Sequence, residues 1–375
     1  MTMNTKKELL RTCLERYLKA DRRQKKPILD ELQAHTKMHR KSLIRALRRL
    51  QMKDSGILSK KPGRKILYSP DVNLALKEIW EISRCLCAER LKPIIAEYVR
   101  ILTRDKMWPH GDKATGLLLQ MSLGTIKNRI TGFSNYKRKS RNSTTKPGHL
   151  HYLIPIRTGP WDNPEPGYGE IDTVVHCGDS LAGNVAYTVN YTDIATGWSE
   201  QAAQLNKGQL RTLESIKTIK RRLPFSLKGL DPDTGSEFIN WHLKDWCDEN
   251  KIELTRSRPY HRNDNAHIEQ KNYSSVRSFL GWRRIDTEKQ VKLLNELYKI
   301  LHLYLNFFQP TMKCISKERI GSRYIRRYDQ PKTPYQRTLE HLKVKQQIQR
   351  ELNRIYKSLN PLKLKQEIDK LLARI

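Results

Sequence analysis

Charge is not spread evenly along this chain, and the division limits how the chain can be assembled. Residues 161–310 carry 19 Lys/Arg against 20 Asp/Glu, a net of −1, while the rest carries a net of +34. From Trp161 to Asn206 there is no Lys or Arg, yet seven acidic residues occur. The pattern predicts a near-neutral middle that keeps uncompensated carboxylates, with strongly basic parts on either side. The whole chain has a formal net charge of +33. A chain this basic must repel itself or neutralise a polyanion, and nucleic acid is the usual one, because released counterions drive the binding. At 375 residues, two to four units are expected. A hydrophobic content of 37% is enough for real cores, which excludes a disordered tail protein.

Cysteines add little. They stand at 13, 85, 87, 177, 247 and 314, with no CxxC pair, so thiols in a reducing compartment are expected rather than zinc ligands. The N-terminus has no apolar signal-like stretch, and no run approaches the roughly 18 apolar residues of a membrane helix. The expectation is a cytoplasmic, nucleoid-associated protein without membrane partners.

The first 70 residues predict a helix-turn-helix domain. Leu9, Leu10, Cys13, Leu14 and Tyr17 recur at helical spacing. Ile28, Leu29 and Leu32 follow Pro27, and after a polar break at 35–39 comes the stripe Leu43, Ile44, Leu47 and Leu50. Arg40, Lys41, Arg45, Arg48 and Arg49 fall mostly off that stripe, where they can meet phosphates or base edges. Residues 71–145 predict a second helical, helix-turn-helix-like DNA-binding module, its rhythm repeated over Ala114–Asn135 and followed by Lys137, Arg138 and Lys139. A Ser-, Pro- and Gly-rich linker is assigned to 146–164.

Beyond it the pattern alternates. Strands are predicted at Glu170–Cys177, Val185–Asp193, Leu227–Leu230 and Ile252–Ser257, and helices at Asn206–Leu223, Phe238–Asn250, Ile268–Leu280 and Val291–Phe307. That alternation implies an α/β sheet with helices on its faces, assigned here to 165–308. Residues 309–375 read as a basic, mainly helical C-terminal region, with a break near Asn360-Pro361.

Three acids in the middle stand out by context. Asp172 lies in the first strand, Asp233 opens Asp-Thr-Gly-Ser-Glu-Phe after a short apolar strand, and Glu269 begins a helix. Three carboxylates on adjacent element ends would repel one another unless a cation joined them. Oxygen ligands without a Cys or His cage favour Mg²⁺ or Mn²⁺ over zinc. Two such ions can activate a water or 3′-hydroxyl and stabilise the leaving oxygen in phosphodiester attack. Asp193 and Asp231 are rivals; Asp193 better suits a turn cap at a strand end.

Thirty-five residues separate Asp233 from Glu269, and the stretch from Arg256 to Asn272 reads Arg-Ser-Arg-Pro-Tyr-His-Arg-Asn-Asp-Asn-Ala-His-Ile-Glu-Gln-Lys-Asn. In these features the chain resembles the DDE transposase and retroviral integrase superfamily, specifically bacterial insertion-sequence transposases with an integrase-like core. The resemblance covers about 165–310. It implies an RNase H-like core, catalytic and metal-holding roles for Asp172, Asp233 and Glu269 with two Mg²⁺ or Mn²⁺ ions, and a transposase acting on element ends and target DNA as a homodimer or larger synaptic complex. Lys271, Asn272 and Arg277, close to Glu269 in sequence, are expected to contact a DNA end. Two alternatives remain: a domesticated DNA-binding protein, and an RNase H-like nuclease without strand transfer.

Overall fold

The computed structural model describes residues 1–54, 67–133, 165–232, 235–256 and 266–375. Two compact units emerge, Met1–Leu67 and Tyr68–Ile375.

The first unit is three helices, α1 (Met3–Lys19), α2 (Lys25–Thr36) and α3 (Arg40–Asp54). Leu10, Leu14, Ile28, Leu29, Leu32, Leu43 and Leu47 form its core. Burying each such side chain contributes about 1.5–3 kcal/mol. Between α2 and α3 the chain turns at Lys37, which takes the left-handed conformation (φ 54°) and bonds its N–H to the Gln33 carbonyl, ending α2. Ile44 departs from the expected buried stripe: it is 40% exposed on α3.

The second unit is built on a five-stranded mixed sheet in the order β3-β2-β1-β4-β5. The strands are β1 (Tyr168–His176), β2 (Ala186–Asp193), β3 (Ser199–Leu205), β4 (Gly229–Pro232) and β5 (Glu253–Leu254). The first three are antiparallel neighbours; β4 runs parallel to β1 and β5 parallel to β4. Alternate positions feed two cores. Ile171, Val189, Tyr191, Ala202 and Leu230 pack with α9 (Gln209–Arg222) and α10 (Trp241–Glu249) on one face. Gly169 belongs to this packing, because a Cβ there would lie 2.2 Å from the Tyr191 ring. Val174, Ala186, Ala203 and Leu205 pack on the other face, in the cluster that includes α13 (Glu288–Phe308). This mixed sheet with helices fits the RNase H-like core that the resemblance implies.

β3 was not among the expected strands. Its sequence, Ser-Glu-Gln-Ala-Ala-Gln-Leu, favours helix, yet all seven residues are buried. α9 and α13 both pack on it, so tertiary burial overrides local preference.

The helices expected to form a separate module at 71–145 do not stand apart from the sheet. These are α4 (Pro70–Ile82), α5 (Ala88–Leu91), α6 (Ile95–Arg104), α7 (Asp112–Leu119) and α8 (Leu123–Phe133). Leu76, Ile79, Leu102, Leu118 and Ile126 are buried in the same apolar cluster as α13 and the sheet. The helix-turn-helix rhythm is present in α7 and α8, but its apolar faces are spent on this shared core. After α13 come a hairpin of β6 (Cys314–Ile320) and β7 (Arg323–Tyr328), then α14 (Pro334–Glu340), α15 (Gln346–Ser358) and α16 (Pro361–Arg374). Asn360 caps α16 through the Leu362 and Lys363 amides, and Pro361 opens the helix.

Candidate active site

Asp172 lies on β1, directly opposite Asn190 of β2, which in turn faces Gln201 of β3. The three share the face toward α13. Between Pro232 and Glu288 the chain supplies a further element above them, α11 (Ala266–Lys271), which continues through a π-helical turn (Asn272–Arg277) into α12 (Ser278–Leu280). The first residue of that turn completes a row. Asn272 Nδ2 donates to Asp172 Oδ2 at 2.6 Å, Asn190 Nδ2 donates to Asn272 Oδ1 at 2.8 Å, and Gln201 Nε2 donates to Asn190 Oδ1 at 3.0 Å. Every amide in the row points its N–H toward the carboxylate. Asp172 Oδ1 accepts the Thr173 N–H at 2.7 Å. These bonds fix the rotamer of a partly exposed carboxylate. π turns inside helices occur often at functional sites, and here the turn begins on the residue that reaches Asp172.

A second tie binds the same helix to the same strand. Glu170, buried and two residues before Asp172, accepts the Ile268 N–H at 2.9 Å. Glu269 therefore lies on α11 between two residues, 268 and 272, that are both bonded to β1; its own side chain is outside what is described. β4 ends at Pro232, paired with Ile171, one residue before Asp172. Asp233, next in sequence, lies outside the described residues.

The neighbouring acids have other work. Asp193 is fully buried and accepts from the Gly167 N–H, the Thr196 N–H and the Thr196 hydroxyl, closing the turn between β2 and β3. Burial outweighs those bonds and pushes its carboxyl up to about 6. Asp231 is buried on β4 and accepts from Thr255 at 2.7 Å. Glu237 is buried against Gly235, where a Cβ would meet its carboxylate at 2.5 Å. It holds Lys207 at 2.7 Å and accepts the Thr173 hydroxyl at 3.1 Å. Among the described residues, no cluster of three His, Cys, Asp or Glu side chains forms a metal cage.

The residues expected to contact DNA separate into two groups. Lys41, Arg45, Arg48 and Arg49 are exposed on α3. Arg40 instead pairs with Asp30 and bonds the Lys26 carbonyl, so it fastens α3 to α2. Lys271, Asn272 and Arg277 also face inward. Lys271 donates to the Gly197 carbonyl at 3.3 Å, and burial, with Arg90 adding repulsion, lowers its ammonium to about 7. Asn272 is committed to Asp172 and Asn190. Arg277 bonds the Val175 carbonyl and stacks on Trp282 at 4.3 Å. Helical spacing put these three near Glu269 but did not show that they point into the protein. Lys137, Arg138 and Lys139 lie outside the described residues. Glu170, Asn190 and Gln201 were not singled out from sequence. The available signal was polar residues inside apolar strands, where Asn and Glu are disfavoured.

No family model matches the chain. The uncharacterized protein y4rM of Sinorhizobium fredii is 35% identical over 346 residues, spanning 90% of this chain and 96% of y4rM. The chain belongs to the same family as y4rM. Among solved structures, the catalytic core of HTLV-2 integrase in complex with magnesium aligns with 40% of this chain and 93% of its own, at 11% identity and a TM-score of 0.31. The catalytic core of BIV integrase aligns with 44% of this chain and 91% of its own, at 14% identity and a TM-score of 0.29. No helix among the described residues is long and apolar enough to cross a membrane.

Proposed function

We propose that this protein is a DNA transposase of the DDE type, binding the ends of a mobile element and cutting and joining DNA strands at a site built from Asp172, Asp233 and Glu269. The observation that carries the reading is the amide-held Asp172 on the central strand, with the helix of Glu269 tied to that strand on both sides of Glu269. The donor set is oxygen only, which fits Mg²⁺ or Mn²⁺. Asp172, Asp233 and Glu269 would hold the ions, which when bound supply activation of the attacking oxygen and stabilisation of the leaving one. The chain's own part is positioning. Asn272, Asn190 and Gln201 keep Asp172 in one rotamer, and Glu170 fixes where α11 starts. Exposed Lys41, Arg45, Arg48 and Arg49 supply phosphate contacts, and the first unit reads the element ends. Two ends must be held together, so a dimer or larger assembly is expected.

The deciding experiment incubates the protein with Mg²⁺ and labelled DNA carrying the ends that flank its own gene, beside Asp233→Asn and Glu269→Gln. Metal-dependent 3′-end cleavage and joining, lost in both variants while binding persists, supports the reading. Binding without cleavage in the wild type would favour a domesticated binding protein, and cleavage without joining a plain nuclease.

Asn272→Ala tests the amide row. Groups that orient metal-binding carboxylates typically contribute about 10- to 100-fold to metal affinity or activity. The variant should need more Mg²⁺ for half-maximal cleavage, with duplex binding unchanged. An unshifted Mg²⁺ dependence would reduce Asn272 to a packing residue.

A further inference from the structure

The hairpin of β6 and β7 projects from the second unit with almost no cover: of its thirteen strand residues only Ser316 is even partly buried. A two-stranded ribbon is marginal in water without something to pack on. Its two faces differ. Cross-strand partners lie on the same face, and Lys317 faces Arg326 while Arg319 faces Tyr324. These four gather: Lys317 Nζ is 4.7 Å, Arg319 Cζ 5.9 Å and Arg326 Cζ 6.0 Å from the centre of the Tyr324 ring. The opposite face is mixed, with Glu318 opposite Ile325, Ile320 opposite Arg323 and Ser316 opposite Arg327.

Like charges directly opposite one another destabilise a ribbon. Basic residues on an exposed edge do guard against aggregation, but that need is met by charge on either face. Cation–π attraction to the Tyr324 ring offsets part of the repulsion among the three cations. An anion laid across that face would offset the rest.

The base of the hairpin is tied down by side-chain bonds. The Asp329 N–H donates to the Lys313 carbonyl at 2.9 Å, the Lys313 N–H donates to the Asp329 carboxylate at 2.7 Å, and Arg337 pairs with Asp329 at 2.6 Å and donates to the Thr311 carbonyl at 2.9 Å. Lys313 Nζ donates to the Ile194 carbonyl at 2.8 Å, which roots the ribbon on the turn between β2 and β3. Lys271 of α11 holds the Gly197 carbonyl of that same turn. The ribbon thus stands on a loop that also braces the helix of Glu269.

We propose that this hairpin is a DNA-contacting ribbon whose Lys317, Arg319 and Arg326 face lies on the phosphates of duplex DNA beside the catalytic site. The inference rests on the transposase reading, which makes DNA the polyanion present.

The test measures duplex affinity of the full chain against salt concentration for the wild type, Lys317→Ala with Arg326→Ala, and Arg323→Ala with Arg327→Ala on the other face. Each lost phosphate contact lowers the slope of log affinity against log salt by about 0.9. The first pair should flatten the slope by about 2 and weaken binding by at least roughly tenfold near 0.1 M salt. The second pair, with the same change in charge, should stay near the wild type. The exchange Lys317→Arg with Arg326→Lys keeps both charges and should bind like the wild type, which separates lost contacts from misfolding. A wild type that binds no duplex overturns the transposase reading and this inference together. A binding wild type with equal losses in both alanine pairs, or none in either, overturns the ribbon alone. So does retention by an acidic protein fraction in place of DNA.

Discussion

Asp172→Asn should lower metal-dependent strand cleavage by on the order of 10⁴-fold, the scale seen when one member of a catalytic unit is removed, while duplex binding stays at the wild-type level or rises slightly. The substitution is isosteric and partly exposed, and its Oδ1 can still accept the Thr173 N–H. What changes is the other atom. An amide nitrogen at 172 would face the Asn272 Nδ2, donor against donor. The row can answer by reversing: Asn272 turns its oxygen to residue 172, Asn190 turns in step, and Gln201 presents Oε1. That oxygen is buried with no hydrogen-bond partner in the native arrangement, so its turning breaks no bond. The variant should therefore unfold within about 1 kcal/mol of the wild type, the worth of one hydrogen bond. Activity lost with stability kept identifies a group that acts on the metals rather than on the fold. Cleavage that survives in Asp172→Asn removes it from the site.

How much of this was readable in the sequence depends on the range of the interaction. Periodicity located β1, β2, α9, α10 and α13, because each has one apolar face. It failed at β3, where α9 and α13 bury every residue and the Ala-Ala-Gln stretch carries no alternation. It failed at the C-terminal hairpin for the opposite reason: with no buried face, Ser-Lys-Glu-Arg-Ile-Gly-Ser-Arg-Tyr reads only as a basic tail. The residues from 71 onward showed their helices but not that Leu118 and Ile126 share a core with the sheet, since burial partners are far away in sequence. The place of Asp172 on the first strand was legible from the apolar run around it. Asn190 and Gln201 were not, because their meaning lies in strand register, which places both in line with Asp172. The inward aim of Lys271 and Arg277 was hidden for a related reason: spacing gives a face of a helix, but not what covers it.

His176 should make the second unit acid-sensitive. It is fully buried at the end of β1, with Nε2 2.7 Å from the Thr188 hydroxyl, which is itself 2.6 Å from that of Tyr298. Its Nδ1 has no hydrogen-bond partner, so a second proton would find no acceptor. Burial, with Arg277 adding repulsion, pulls the imidazole down to about 3. Its folded value is thus depressed below the unfolded value of about 6.5. Below that pH the unfolded chain takes up a proton that the native one refuses. Stability is intact above about pH 6.5 and is lost as pH falls toward 3, by up to about 1.4 kcal/mol per pH unit. Asp193 works in the other direction. Its carboxyl is raised to about 6, so its contribution is present below the unfolded value of about 4 and is lost as pH rises through 6. Between about pH 4 and 6 the two largely offset, and the wild type alone hides both. The informative quantity is the difference between wild type and His176→Gln, which carries no titratable group. Denaturant unfolding at pH 7 and pH 4.5 should show the wild type losing roughly 2–3 kcal/mol relative to the variant over that step. Any constant cost of the substitution cancels in the comparison. Parallel pH curves would mean that the buried imidazole accepts its proton in the folded state, and that Thr188 and Tyr298 rearrange to receive it.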